Sequence, residues 1–214
     1  MKKIKNIIFD LGGVIYDIRY ENVAEAFVSH GVTNLSDIYS RTSQTHEMDL
    51  FEMGLMSVEE MREGIKQLAD APLTDQDVDD IYNAILVDMP AMRVALLLAL
   101  REKYKVFLFS NTNQINYEYF TKYTKDKFGF DVFEKCFDAA YFSHLMHKRK
   151  PAADGFLQIL EEQHLDPEET VFIDDNEPNL AGAREAGMRG YWLHDKDILD
   201  LFDERFDPIP ELEG

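Results

Sequence analysis

Short apolar runs recur at wide intervals along the chain, and amphipathic stretches fill the gaps between them. Lys5 to Asp10 is the first run and Lys105-Val106-Phe107-Leu108-Phe109 the second; Phe137 to Phe142 is a weaker third. Thr170-Val171-Phe172-Ile173 and Gly190-Tyr191-Trp192-Leu193 follow. Each has the length of a strand buried on both faces. Helical periodicity marks Pro90 to Tyr104, Gln114 to Lys127, Ala152 to His164 and Asn176 to Ala186, with Gly187 placed to end the last. Strands alternating with helices predict an α/β fold, a Rossmann-like doubly wound parallel sheet.

The stretch from Asp17 to Met89 interrupts this alternation. It shows no convincing strand and reads as four or five short helices. Ser57 with Glu60 forms a capping-box pattern, and Thr74 suits the start of another helix. A helical block after the first strand is expected to be an inserted α-helical cap over the sheet edge. The expected division is a core of 1–16 and 90–214 with a cap of 17–89. Phe51, Met53, Leu55 and Met56 around Gly54 read as cap core, Trp192 and Cys136 as packing residues, and 207–214 as a loose tail.

Composition narrows the picture. The 214 residues suit one domain with a modest insertion, and 45% hydrophobic content supplies a core. Acids outnumber bases 41 to 22, for a net charge of −19, which argues against nucleic acid or anionic lipid as partner. No apolar run approaches the ~20 residues of a membrane span. The run at Ile7-Ile8-Phe9 is too short for a signal sequence and is broken by Asp10. A single cysteine and no export signal point to the cytoplasm, as a monomer or small homo-oligomer.

In a parallel sheet the strand ends share one edge, where ligands bind. The first run ends in Asp10-Leu11-Gly12-Gly13-Val14, and the second leads into Ser110-Asn111-Thr112-Asn113. The fourth ends in Asp174-Asp175-Asn176, and His147-Lys148-Arg149-Lys150 precedes Pro151 and a helix. Carboxylates with a backbone carbonyl make a hard oxygen cage suited to Mg²⁺. A hydroxyl with free backbone amides suits phosphate oxygens, and a lysine balances both. Lys148 and Arg149 read as solvated. His144 and His147 are weak metal candidates beside an oxygen cage.

Phe9-Asp10-Leu11-Gly12-Gly13-Val14, Ser110-Asn111, Lys150 before Pro151, and Asp174-Asp175 with Asn179 beyond resemble the haloacid dehalogenase superfamily, in its phosphatase branch with a helical cap. Members resembling α-glucose-1-phosphate phosphatases share Asp-Leu-Gly at the first motif. The resemblance implies Asp10 as nucleophile and metal ligand, and Ser110 with the Asn111 amide as phosphate binders. Lys150 would tie nucleophile to phosphate. Asp175 would bind Mg²⁺ directly, Asp174 directly or through water, and Gly12 through its carbonyl, with Asn179 behind them. The implied activity is hydrolysis of a small phosphorylated metabolite, a sugar phosphate for example, through an aspartyl phosphate.

One position departs from the superfamily. Its phosphatases usually carry Asp two residues after the nucleophile, as general acid and base; here that residue is Gly12. Asp17, His46 and Glu47 are the candidate replacements. The alternative is a non-catalytic or very slow phosphate-ester-binding protein that keeps the cage without the chemistry. A mutase or a metal-free dehalogenase fits the residues less well. Arg19 and Tyr20 are placed to touch a substrate at the cap entrance.

Overall fold

The computed structural model describes residues 3–38 and 46–213. A five-stranded parallel sheet runs in the order β5-β4-β1-β6-β7. Its strands are β1 (Asn6–Phe9), β4 (Lys105–Ser110), β5 (Ala139–Phe142), β6 (Thr170–Asp174) and β7 (Arg189–Trp192). β1 is central. Phe9 pairs with Leu108 on one side and Ile173 on the other, so β1, β4 and β6 end side by side.

Alternation along these strands builds two cores. Ile7 and Phe9 face one layer with Val106, Leu108, Val171 and Ile173. Ile8 faces the opposite layer with Phe107, Phe109 and Phe172. A strand whose neighbours point to opposite buried faces must be apolar throughout, which explains the unbroken runs in the sequence. Helices α5 (Ala91–Arg101), α6 (Gln114–Phe128) and α9 (Ala153–Glu162) cover the sheet, as does α10 (Leu180–Glu185), which follows a 3₁₀ turn at Glu177–Asn179. Short helices α7 (Val132–Lys135) and α8 (Ser143–Met146) flank β5.

Helices α1 (Glu21–Ser29), α2 (Glu47–Glu52), α3 (Val58–Leu68) and α4 (Asp75–Asn83) pack on a separate apolar cluster. Phe27, Phe51, Met61, Ile65, Val78 and Ile81 form it, with Ile115 of α6 contributed from the sheet layer. Phe51 thus packs as expected, whereas Leu55 is exposed. Ser57 accepts from the Glu60 amide (3.1 Å) while Glu60 accepts from the Ser57 amide (2.8 Å). Thr74 and Asp77 close the same reciprocal pair at the start of α4.

Two expectations are corrected here. The 17–89 stretch does contain strands: β2 (Asp17–Ile18) pairs antiparallel with β3 (Leu86–Asp88). These are too short to show alternation, and they set Asp17 opposite Asp88. That repulsion is relieved on both sides, by Arg93 on Asp17 (2.7 Å) and by Lys127 and Tyr123 on Asp88. The C-terminal segment is not loose. Leu212 is 3% exposed within the core, and the Ile209 amide donates to the Leu201 carbonyl (3.0 Å).

Candidate active site

The Asp10 amide donates to the Ile173 carbonyl at 2.9 Å, which continues the ladder one residue past β1 and aims the carboxylate out of the sheet edge. Lys150 Nζ lies 2.7 Å from Asp10 Oδ1 and 2.6 Å from Asp174 Oδ2, and its side chain is 1% exposed. Asp174 is fully buried; the Asn176 amide (2.7 Å) and Asn179 Nδ2 (3.0 and 3.2 Å) also donate to it. Asn111 fixes the lysine's backbone from both sides. Its Oδ1 accepts from the Lys150 amide (2.9 Å), and its Nδ2 donates to the Lys150 carbonyl (3.0 Å). Sequence reasoning used only the Asn111 amide, because a side chain that braces a segment 39 residues away leaves no local pattern.

Asp10, Asp174 and Asp175 each offer an oxygen, all within 4.8 Å of one another. Three carboxylates against one ammonium leave two negative charges uncompensated in a largely buried site. Burial pushes the Asp10 carboxyl up to about 7; Lys150 opposes the rise, and Asp174 and Asp175 add to it. Asp175 is raised as well, by burial and then by Asp174. Burial alone would lower the Lys150 ammonium, but Asp10 and Asp174 outweigh it and hold it above its ordinary value. Such an excess of charge on hard oxygens fits a divalent, oxygen-preferring cation, and Mg²⁺ matches that donor set.

Gly13 has φ of +76°, and a Cβ there would stand 2.2 Å from Asp175 Oδ2. Only glycine serves that turn. Gly12 is different. Its Cβ would meet Ile18 Cδ1 at 3.2 Å, so the wall beside it is apolar. Trp192 is 40% exposed rather than packed in a core. Its indole stacks on His194 and donates to the Asp175 carbonyl at 2.9 Å.

Above the carboxylates opens a cavity of about 340 Å³, floored by Asp10, Ser110, Lys150 and Asp175. Tyr20, Glu52, Asn113, Asn116, Arg149 and Asn176 line its upper walls. Its size is in the range of small-molecule sites. Asp17, His46 and Glu47 are not brought to it. Asp17 pairs with Arg93, and exposed His46 lies 3.4 Å from Asp49.

Arg149 is not the free surface cation the sequence suggested. It pairs with Asp49 (2.7 Å) and Glu52 (2.8 Å) of α2. His147 Nδ1 donates to the Met53 carbonyl (2.7 Å), and Ser143 Oγ donates to the Glu52 carbonyl (2.6 Å). The segment leading to Lys150 therefore carries α2 over the site. Arg19 turns to Glu21 instead (3.7 Å). His144 is buried against Tyr117 and Phe142, and neither histidine joins the carboxylate cluster.

A parallel sheet whose central strand ends in a lysine-bridged pair of aspartates, roofed by an inserted helical layer, is the arrangement of a haloacid dehalogenase-like hydrolase. The profile of that family matches residues 4–187, and the chain belongs to it. It is 30% identical over 191 residues to a D-ribitol-5-phosphate phosphatase of Bacteroides thetaiotaomicron, covering 88% of this chain and 91% of the relative. The crystal structure of a HAD family enzyme from Bacteroides thetaiotaomicron superposes with a TM-score of 0.87 at 35% identity, covering 95% of this chain and all of that one. A wild-type HAD family enzyme from the same organism, solved with magnesium and inorganic phosphate, gives 0.81 at 35% identity over 94% of this chain and 100% of the other. Among the described residues no helix is long and apolar enough to cross a membrane.

Proposed function

We propose that this chain is a Mg²⁺-dependent phosphatase of small phosphomonoesters, acting through an aspartyl phosphate on Asp10. The observation that carries the reading is the contact of Lys150 with both Asp10 and Asp174 in a buried cluster left two charges negative. That cluster needs a dication, and a cation beside a carboxylate is what draws a phosphate dianion onto an anionic nucleophile. The phosphatase named among the relatives and the magnesium–phosphate complex of a similar enzyme support it.

Asp10, Asp174, Asp175 and the Gly12 carbonyl would hold the metal, which supplies positive charge against the transferring phosphoryl group. The Asp10 carboxylate attacks phosphorus in line with the departing oxygen. Ser110 Oγ and the Asn111 amide donate to the phosphoryl oxygens, and Lys150 offsets their charge. Asn179 orients Asp174 through the bonds it already makes. Residues 1–16 and 90–214 act as the catalytic core, and 17–89 as a cap that excludes bulk water and selects the leaving group.

The leaving group is a neutral polyol or sugar. Asn176 and Tyr20 present an amide and a hydroxyl, while Asn113 and Asn116 are engaged with each other and with Tyr82 and Asn83; among the described residues the one cation of the upper wall, Arg149, is engaged by Asp49 and Glu52. A second anionic group on the substrate would find no free cation among the described residues there. With net charge −19, the working partner is a phosphorylated metabolite of the cytoplasm rather than nucleic acid or membrane.

The test is phosphate release from a panel of polyol, sugar and aryl phosphates, with Mg²⁺ and with chelator. Mg²⁺-dependent release from polyol or sugar esters is expected. Tight binding of those esters with no release from any member would favour binding without turnover and overturn the reading.

A further inference from the structure

Gly12 leaves the phosphoryl transfer without its usual proton carrier, and the cavity wall narrows the replacement. Its titratable side chains are Asp10, Tyr16, Tyr20, Glu52, Arg149, Lys150 and Asp175. Asp10 and Asp175 belong to the cluster at the floor, and Lys150 is bound to two carboxylates. Arginine does not release its proton. Burial drives the Tyr16 phenol far above its ordinary value, and burial with Asp175 and Asp10 raises Tyr20. Among the described residues Glu52 is the one carboxyl of the wall outside the cluster.

We infer that Glu52 of the cap is the proton carrier that serves in place of the residue missing at Gly12. This rests on the phosphatase reading above. In-line displacement puts the leaving oxygen on the far side of phosphorus from the nucleophile. Asp10 stands at the sheet edge, and Glu52, the last residue of α2, lines the same cavity from the cap. Arg149 grips only one oxygen: Nε lies 3.0 Å and Nη2 2.8 Å from Oε2. Among the described residues no partner takes Oε1. The Glu52 carbonyl accepts from Ser143 Oγ at 2.6 Å, so the main chain behind the carboxyl is pinned to the core.

The charged neighbours are Arg149 and Lys150 from the core and Asp49 one turn back on α2, and the titratable Tyr20 phenol lines the same cavity. Burial raises the Glu52 carboxyl; Arg149 opposes this, its own charge divided between Glu52 and Asp49. A carboxyl shifted upward holds a proton nearer to neutrality than an exposed one.

The step balances. As the Asp10 oxygen bonds to phosphorus and the ester P–O bond breaks, the Glu52 proton passes to the departing oxygen, which leaves as a neutral alcohol. The Glu52 carboxylate then takes a proton from water as the water oxygen bonds to phosphorus. The P–O bond to Asp10 breaks, which returns phosphate, a free Asp10 carboxylate and a protonated Glu52.

Glu52→Gln keeps size and an oxygen for Arg149 but carries no transferable proton. The readout is kcat on the best alkyl ester of the panel against 4-nitrophenyl phosphate, whose leaving group departs without help, with pH profiles of both. The expected result is a fall of about 10²–10⁴-fold on the alkyl ester, a fall of under about 10-fold on the aryl ester, and loss of the alkaline limb of the alkyl profile. A purely structural Glu52 would lower both alike, so an equal fall on both esters, or no fall on the alkyl one, overturns the assignment. Wild-type turnover confined to the aryl ester overturns it too. Wild-type protein that releases phosphate from neither ester removes the phosphatase reading along with it, whereas unchanged leaving-group dependence in an active Glu52→Gln protein removes only the role of Glu52.

Discussion

Gly13 stands so close to Asp175 that a methyl group on its α-carbon would lie 2.2 Å from Oδ2. The backbone there is left-handed at φ +76°, so two independent constraints demand glycine. Gly13→Ala must swing the Asp175 carboxylate away or unwind the turn. The expected outcome is a loss of about 1–3 kcal/mol in stability and at least a tenfold weaker Mg²⁺ requirement curve. Urea unfolding and a Mg²⁺ titration of activity measure the two effects.

Lys150→Met removes the only ammonium among three carboxylates. Leaving buried charge unpaired costs about 3 kcal/mol or more, and protonation of Asp10 absorbs part of that cost. Phosphate release should fall at least about 10²–10³-fold, with a smaller drop in the melting temperature when Mg²⁺ is added than when it is chelated. Thermal unfolding with and without Mg²⁺, beside a steady-state assay, checks this.

Mg²⁺ itself should stabilise the fold, because the cluster that binds it exists only in the folded chain. At 100 times the dissociation constant the gain is about 2.7 kcal/mol. Asp175→Asn lowers the uncompensated charge from two to one and should lose most of that gain. Equal thermal shifts for the wild-type and Asp175→Asn proteins would remove Asp175 from the metal site.

His144 is buried with no partner on either ring nitrogen among the described residues, and burial together with the charge of His147 lowers it to about 4. The unfolded chain takes up a proton near the ordinary histidine value of 6.5 while the folded chain does not. The unfolded state therefore binds more protons in that window, and stability is lost as pH falls from 6.5 towards 4. Between pH 7 and 5 the wild-type protein should lose about 2 kcal/mol more than His144→Phe. Urea unfolding at both pH values reads the difference.

The sheet and its polar edge were legible because both follow from local patterns. Unbroken apolar runs such as Ile7-Ile8-Phe9 report burial on two faces, and parallel topology then brings Asp10, Ser110 and Asp174 to one edge. Ser57 and Thr74 were readable because a capping box spans only four residues. The β2–β3 ribbon was missed because its strands hold two and three residues, and its stability comes from Arg93, Lys127 and Tyr123 elsewhere in the chain. Arg149 and Glu52 escaped for a related reason. An arginine in the run Lys148-Arg149-Lys150 looks solvated until tertiary structure sets α2 against it. The sequence offered Asp17 at the hinge and His46 and Glu47 in the cap as proton-carrier candidates, whereas the fold presents the carboxyl five residues beyond Glu47 to the cavity.

The central claim is that Asp10 accepts the phosphoryl group, and it is tested most directly by trapping that species. A single turnover of a hydrolysable phosphate ester with Mg²⁺ would be quenched in acid and digested, and the peptides weighed. The account predicts one added phosphoryl group, labile to base, on the peptide containing Asp10, and neither adduct nor phosphate release from Asp10→Asn. Phosphate release by Asp10→Asn at the wild-type rate would contradict it.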